Sequence, residues 1–411
     1  KLSHASWAPL LRGRISCMFA LPLAVAAAAL ALRAGTPRMS IASDAERWIT
    51  SNLGSITSKR SMGGGSGWAS LTRYAVEGHE KELVVKASGS RPLESMFLGE
   101  ALGLRALGAS GSMAVPEVFA FEDGSNGGSF LIMEYMDMGG RVDQEEFGRL
   151  MAQMHLAEPL AKEAREGRFG FNVDNTIGAT PQPNAWTAGS GTAAWVEFFR
   201  DKRIGFQVRK AADVRLRKQW EATLDATDGL LDLFEGLDVK PSVLHGDLWS
   251  GNIASAKGVP CIFDPAVYYG HHEAEWGMSW CASLGPAFWQ GYRSLVPKDE
   301  GFERRFALYE AYHQLNHYNL FGGGYYNAAR AHDIQRDTPQ SRFHTARREQ
   351  VVSVSLWCSH THRRRTFALR PTRIQAPPSA SISDQRRREG GGGRGGRRPN
   401  WPCVVARSRA L

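Results

Sequence analysis

Two short apolar runs, each closing on an acidic residue, constrain this 411-residue chain more than any other feature. The first is Val243-Leu244, which leads into His245-Gly246-Asp247-Leu248-Trp249-Ser250-Gly251-Asn252. The second is Cys261-Ile262-Phe263, which leads into Asp264-Pro265-Ala266. Runs of this kind read as short buried strands, so each carboxylate stands where a strand gives way to a loop. Asn252 follows Asp247 by five residues, and Asp264 follows Asn252 by twelve. An Asp, an Asn and a second Asp at that spacing fit phosphoryl transfer. One carboxylate orients and deprotonates an acceptor hydroxyl, while the amide oxygen and the other carboxylate hold Mg2+ on nucleotide phosphates. Hard oxygen ligands suit Mg2+, which keeps several waters and borrows phosphate oxygens. Taken alone, the same residues also read as turn and cap positions.

The segments upstream decide between these readings. Gly63-Gly64-Gly65-Ser66-Gly67 punctuates a hairpin, and Leu83-Val84-Val85-Lys86-Ala87 is a β run. After Pro92 a helical pattern places Met96, Phe97, Leu104 and Leu107 on one face, with Glu100 among them. A carboxylate on a buried face needs a cationic partner, or it costs on the order of several kcal/mol. Lys86 can reach the α- and β-phosphates of a nucleotide, and Glu100 can hold it there through an ion pair. Singly, Lys86 is an edge-strand lysine and the glycines are a turn. In this order, on these elements, they specify a kinase-like α+β fold in two lobes. The small β-rich lobe spans 44–137, and Phe130 to Tyr135 is its last strand, followed by a connector from Met136 to Gly140. The larger, mainly helical lobe spans 138–340. It opens with a capping box of Asp143 and Glu146, and Phe147, Leu150, Met151 and Met154 continue that helix. Trp195, Phe198, Phe199 and Phe206 mark another helix, and 303–319 a further one.

The net charge of +9 belongs to the ends. Residues 1–43 hold five bases (Lys1, Arg12, Arg14, Arg33, Arg38) and no acid, and 363–411 hold thirteen Arg against Asp384 and Glu389. What lies between is mildly acidic, which argues against a nucleic-acid-binding core. The Ala, Leu, Arg and Ser content of 1–43 favours an organelle transit peptide, with a secretory signal peptide as the competing reading. Its apolar run, Met18 to Leu32, is short of the ~20 residues that span a bilayer. From 341 to 411 periodicity stops and Arg clusters appear, as in a disordered or mistranslated tail. An RNA-associated protein working through this Arg/Gly end is the rival from another class. Of five cysteines only Cys261 and Cys281 lie in the middle of the chain, and two widely spaced cysteines make neither a disulfide framework nor a zinc site. His271, His272, Glu273 and Glu275 are set aside as metal ligands because they lack a third soft donor.

Asp264-Pro265-Ala266 stands in place of Asp-Phe-Gly, and no Arg follows His245. Both features point towards small-molecule kinases of the aminoglycoside and choline type. Met96 to Leu107, His245 to Asn252, Asp264 to Glu275 and Leu315 to Tyr326 together resemble the fructosamine/ketosamine-3-kinase family. Gly277-Met278-Ser279-Trp280-Cys281 is similar to its plant and plastid members, and the resemblance covers roughly 44–327.

The resemblance implies ATP-dependent phosphorylation of the sugar 3-hydroxyl of ketosamines, the fructosamine or ribulosamine adducts that glycation leaves on protein lysines. The phosphorylated adduct is unstable and leaves, so the activity repairs glycated protein. A kinase of another small hydroxylated amine is the alternative. Carried over, Asp247 is the general base, Asn252 and Asp264 are the Mg2+ ligands, and Lys86 with Glu100 anchors the phosphates. Gly63, Gly64, Gly65 and Ser66 cover the phosphates, and Glu134, Tyr135 and Met136 form the linker beside the adenine. Trp249 is either a platform for the sugar or a core residue. His155 and His245 read as hydrogen-bonders rather than bases. The expected partners are glycated proteins or small ketosamines, with no specific nucleic acid and no membrane. The expected location is the plastid, with mitochondrion or cytoplasm as alternatives. Many family members carry a Cys directly after the glycine triplet. Ser66 stands there instead, which implies a monomer rather than a disulfide-linked dimer.

Overall fold

The computed structural model describes residues 40–63, 69–89, 96–123 and 128–322. Gly64, Gly65 and Ser66 of the glycine-rich hairpin, residues 1–39 and the basic C-terminal region lie outside them.

Helix α1 (Ile41–Asn52) opens the fold, and the Ser40 hydroxyl caps it by accepting the amide of Ser43 at 3.3 Å. It therefore includes the last residues of the stretch read above as leader. Its Ala45 and Ile49 are fully buried against Tyr74, Val85, Phe130 and Ile132, which anchors the helix to the sheet.

That sheet comprises β1 (Ile56–Ser61), β2 (Ser70–Val76), β3 (Leu83–Ser88), β4 (Val118–Asp123) and β5 (Ser129–Glu134), in the order β1-β2-β3-β5-β4. Every neighbouring pair is antiparallel. Central strand β3 is buried along its whole length, so Lys86 is not the edge-strand lysine its sequence allows. Helix α2 (Met96–Gly108) packs on this sheet, with Met96, Phe97, Glu100, Leu104 and Leu107 all buried.

The helical lobe begins with α3 (Gln144–Leu156). Asp143 accepts the amides of Glu145 and Glu146, each at 3.1 Å. Glu146 does not return the bond but pairs with Arg149, so only half of the expected capping box forms. A small hairpin follows, β6 (Asn175–Ile177) with β7 (Thr180–Gln182). Next come α4 (Gly191–Phe198), a π segment (Phe199–Ile204), α5 (Gly205–Ala211) and α6 (Val214–Ala226). The two acidic runs become β8 (Ser242–Leu244) and β10 (Val259–Ile262). Each pairs with a different strand: β8 with β11 (Tyr268–Gly270), and β10 with β9 (Ile253–Ala256). Helices α7 (Pro286–Arg293) and α8 (Phe302–Phe321) complete the lobe around fully buried Trp195 and Trp276. Among the described residues no helix is long and apolar enough to cross a membrane.

Candidate active site

Each short strand delivers one carboxylate to the same cleft. Asp264 leaves β10 at φ 59°, a left-handed conformation that Asp tolerates better than most residues. Its Oδ1 lies 2.6 Å from Lys86 Nζ, which also meets Glu100 Oε2 at 2.7 Å. The ammonium on β3, the carboxylate on α2 and the carboxylate after β10 therefore form one cluster joining the two lobes. Burial works against the Lys86 ammonium, but Glu100 and Asp264 outweigh it and raise its pKa. Burial lifts Glu100 to about 7 against the pull of Lys86. Asp264 resists burial because of Lys86 and is held below the usual carboxylate range.

Asp247 lines the same cavity as Lys86, Glu100 and Asp264. Burial raises its pKa to about 7, and Asp264 and Glu275 add to the shift. The loop that presents it admits no side chain at Gly246. That residue has φ +77°, and a Cβ there would stand 2.2 Å from the carbonyl oxygen of Ala266. Asn252 is buried, and its Nδ2 donates to the carbonyls of Asp247 at 2.9 Å and Asp264 at 3.2 Å. Those two bonds fix the amide and leave its oxygen as the group available to a cation. A carboxylate and an amide oxygen are the hard donors that suit Mg2+.

Two histidines support the segment that carries Asp247. His245 accepts the Asp247 amide on Nδ1 at 3.3 Å and bonds the Phe263 carbonyl through Nε2 at 3.0 Å. Burial pushes its pKa down, so it is a neutral brace for the loop. His155 bonds the Tyr292 hydroxyl and lies 3.4 Å from Glu275, again a structural role.

Glu275 was considered in the sequence only as a metal ligand, yet its carboxylate receives the amides of His245 at 2.6 Å and Gly246 at 3.0 Å. It holds the loop that carries Asp247. A carboxylate within the apolar run Ala274 to Met278 was the available signal, since a buried charge must find partners.

The remaining sequence candidates divide. Gly63 is exposed at the end of the β1–β2 hairpin. Glu134, Tyr135 and Met136 follow β5 at the junction of the lobes. The amides of Glu134 and Tyr135 are already bonded to the carbonyls of Glu117 and Glu82, and the Glu134 carboxylate pairs with Lys81 at 3.1 Å. A nucleotide base beside this linker must read other backbone atoms. Trp249 is half-buried and lies against its own turn, close over Gly251, outside the core clusters of the described residues. His271, His272 and Glu273 converge with Asp299, their donor atoms within 4.8 Å. Glu273, however, is taken up in a buried two-point pair with Arg305, and His271 bonds Tyr309 at 2.8 Å. The cluster works as packing.

A family model described as fructosamine kinase matches residues 41–336, which takes in both lobes and every cleft residue named above. The chain belongs to the fructosamine kinase family. Among fructosamine kinase relatives, it is 46% identical to the chloroplastic protein-ribulosamine 3-kinase of Oryza sativa subsp. japonica over 280 residues. That match covers 67% of this chain and 77% of the relative. It is 36% identical over 265 residues to the ketosamine-3-kinase of Mus musculus, covering 59% of this chain and 83% of that one. A crystal structure assigned as a fructosamine-3-kinase from Thermobifida fusca is similar at TM-score 0.59 and 30% identity, over 71% of this chain and 96% of that one.

Proposed function

We infer that this chain is an ATP-dependent ketosamine 3-kinase, acting on ribulosamine or fructosamine adducts of lysine and so serving protein deglycation. The observation that carries this reading is the family match across both lobes, in a chain whose cleft gathers Lys86, Glu100, Asp247 and Asp264.

In this reading Asp247 accepts the proton of the sugar 3-hydroxyl as that oxygen attacks the terminal phosphorus. A carboxylate raised to about 7 is well suited to the task, because a general base works best with a pKa near the operating pH. Lys86, positioned by Glu100, neutralises phosphate charge, and Gly63 to Ser66 cover the phosphates. Asn252 and Asp264 would hold Mg2+, which supplies charge neutralisation on the nucleotide phosphates when bound. Trp249, outside the core, offers its ring to the apolar face of the sugar.

The acceptors are glycated proteins or free ketosamines. The relatives from Oryza sativa and Arabidopsis thaliana are named chloroplastic, and with the acid-free leader this supports a plastid location. A fluorescent protein fused behind residues 1–50 should enter plastids, and its secretion would overturn that part.

The test of the activity is ATP consumption with ribulosyl-lysine, fructosyl-lysine, choline and an aminoglycoside side by side. Turnover confined to the two ketosamines is the expected result. Turnover confined to choline or the aminoglycoside would replace this reading with the other small-molecule kinase.

A further inference from the structure

We propose that the β6–β7 hairpin is the acceptor-side wall of the active site, and that the Thr176 hydroxyl on it is a specificity-determining hydrogen-bonding group for the sugar. This rests on the kinase reading above. The hairpin lies about 70 residues ahead of Asp247 in the chain and carries no motif.

Thr176 and Gly178 line the same cavity as Lys86, Asp247 and Asp264, whereas the linker from Glu134 to Met136 does not. The hairpin thus borders the part of the cleft where phosphorus meets acceptor, rather than the base end of the nucleotide. Within β6 the neighbours Asn175 and Ile177 are buried while Thr176 is half-buried, as strand alternation requires when one face meets a cleft. The Thr176 hydroxyl makes no hydrogen bond among the described residues. It is a neutral group that can both donate and accept, lining a cavity with two carboxylates that can only accept when ionised. Sugar hydroxyls both donate and accept, so Thr176 can pair with one beside the reacting oxygen.

A wall is useful only if it is fixed relative to the reacting atoms, and three buried amides do this. Asn175 Nδ2 donates to the Val267 carbonyl at 2.8 Å. Gln182 Nε2 donates to the Ala266 carbonyl at 3.1 Å and to Asn175 Oδ1 at 2.8 Å. Asn184 Nδ2 donates to the same Asn175 oxygen at 2.8 Å, and the Tyr312 hydroxyl donates to Gln182 Oε1 at 2.7 Å. Ala266 and Val267 lie two and three residues beyond Asp264, so the hairpin is bonded directly to the segment that carries that carboxylate. On the other side, a Cβ on Gly99 would stand 2.5 Å from Asn175 Cβ. Helix α2 is therefore seated directly on the hairpin, which ties Glu100 to the same frame. Asn175 and Gln182 are positioning residues, and Thr176 is the group that meets substrate.

The experiment compares the full chain with its Thr176→Val and Thr176→Ser variants, using ribulosyl-lysine as acceptor and saturating or varied ATP. Valine keeps the shape and removes the hydroxyl. Thr176→Val should raise KM for ribulosyl-lysine about tenfold, as expected for losing one hydrogen bond in a desolvated site. KM for ATP and the melting temperature should stay put, and Thr176→Ser should restore most of the loss. Unchanged kinetics in Thr176→Val, or equal changes in both KM values, would overturn the assignment. If the wild-type chain uses a different acceptor, the kinase reading fails separately. The same comparison then runs on that acceptor, and an unchanged acceptor KM overturns the hairpin proposal too.

Discussion

The ammonium of Lys86, on the central strand of the small lobe, lies 2.6 Å from the carboxylate of Asp264 in the helical lobe. That contact spans 178 positions of sequence and closes the cleft around a charge that Glu100 shares from a third element. In the function proposed above, the same charge would also serve the nucleotide phosphates.

Removing Lys86 leaves Glu100 buried with no cation beside it, and a carboxyl already near 7 then takes up a proton. Lys86→Ala should lower kcat/KM for ATP by about 10²–10³-fold, the usual loss for a positioned charge donor. Circular dichroism should report a folded chain. Steady-state kinetics showing less than a threefold loss would contradict the anchoring role.

On the proposed reading of Asp264 as a Mg2+ ligand, Asp264→Asn removes a ligand charge while preserving shape. Half-saturation by Mg2+ at fixed ATP should shift to higher concentration, with KM for ribulosyl-lysine little changed. A variant with wild-type Mg2+ dependence would remove Asp264 from the metal site.

How much of this was legible beforehand follows from the range of each interaction. Lys86 and Glu100 announce themselves on a strand and a helix face with local periodicity, and Asp247, Asn252 and Asp264 through their spacing after two short apolar runs. Glu275 and Gln182 are harder to place: their bonds to His245 and Ala266 reach 30 and 84 positions away, and although the apolar run around Glu275 marks the need for a partner, it does not say which. Helix α2 was read from its large apolar residues, yet Gly99 and Gly103 decide how close it approaches the helical lobe, against Asn175 and Val267. Glycine leaves no hydrophobic signal, so periodicity passes over it. The capping box was half right because Arg149, one turn on, competes for Glu146. Which residues mark the end of the leader was blurred because composition is smooth across Ser40, where a single hydroxyl starts a helix.

The start of that helix is testable. A chain trimmed to begin at residue 44 loses the Ser40 cap and the side chain of Ile41, whereas one beginning at residue 39 keeps both. The shorter chain should melt lower, by the ~1 kcal/mol typical of a lost N-cap plus the lost apolar contact. Equal melting temperatures would show that α1 contributes nothing at its N-terminus.

The raised Asp247 carboxyl gives two linked pH effects. As a base it must be ionised, so kcat/KM should climb with pH through a midpoint near pH 7 and level off above it. As a buried acid, its folded pKa exceeds the ordinary value of 3.8, so the folded state binds the proton more tightly than the unfolded chain. Its contribution therefore favours folding below that ordinary value and weakens as pH rises towards 7. Asp247→Asn should melt higher than wild type at pH 8, with the gap closing towards pH 4. An activity limb near pH 4, or a variant less stable than wild type at pH 8, would contradict the assigned environment.

The most direct measurement of the central claim is mass spectrometry of a ribulosyl-lysine peptide incubated with the chain, ATP and Mg2+. The adduct should gain one phosphate, placed at O3 by fragmentation, and then leave the peptide as unmodified lysine. Asp247→Asn should slow this by about 10²–10⁴-fold while still binding ATP. A phosphate on a different oxygen, or a peptide left unchanged while ATP is consumed with choline or an aminoglycoside, would contradict the account.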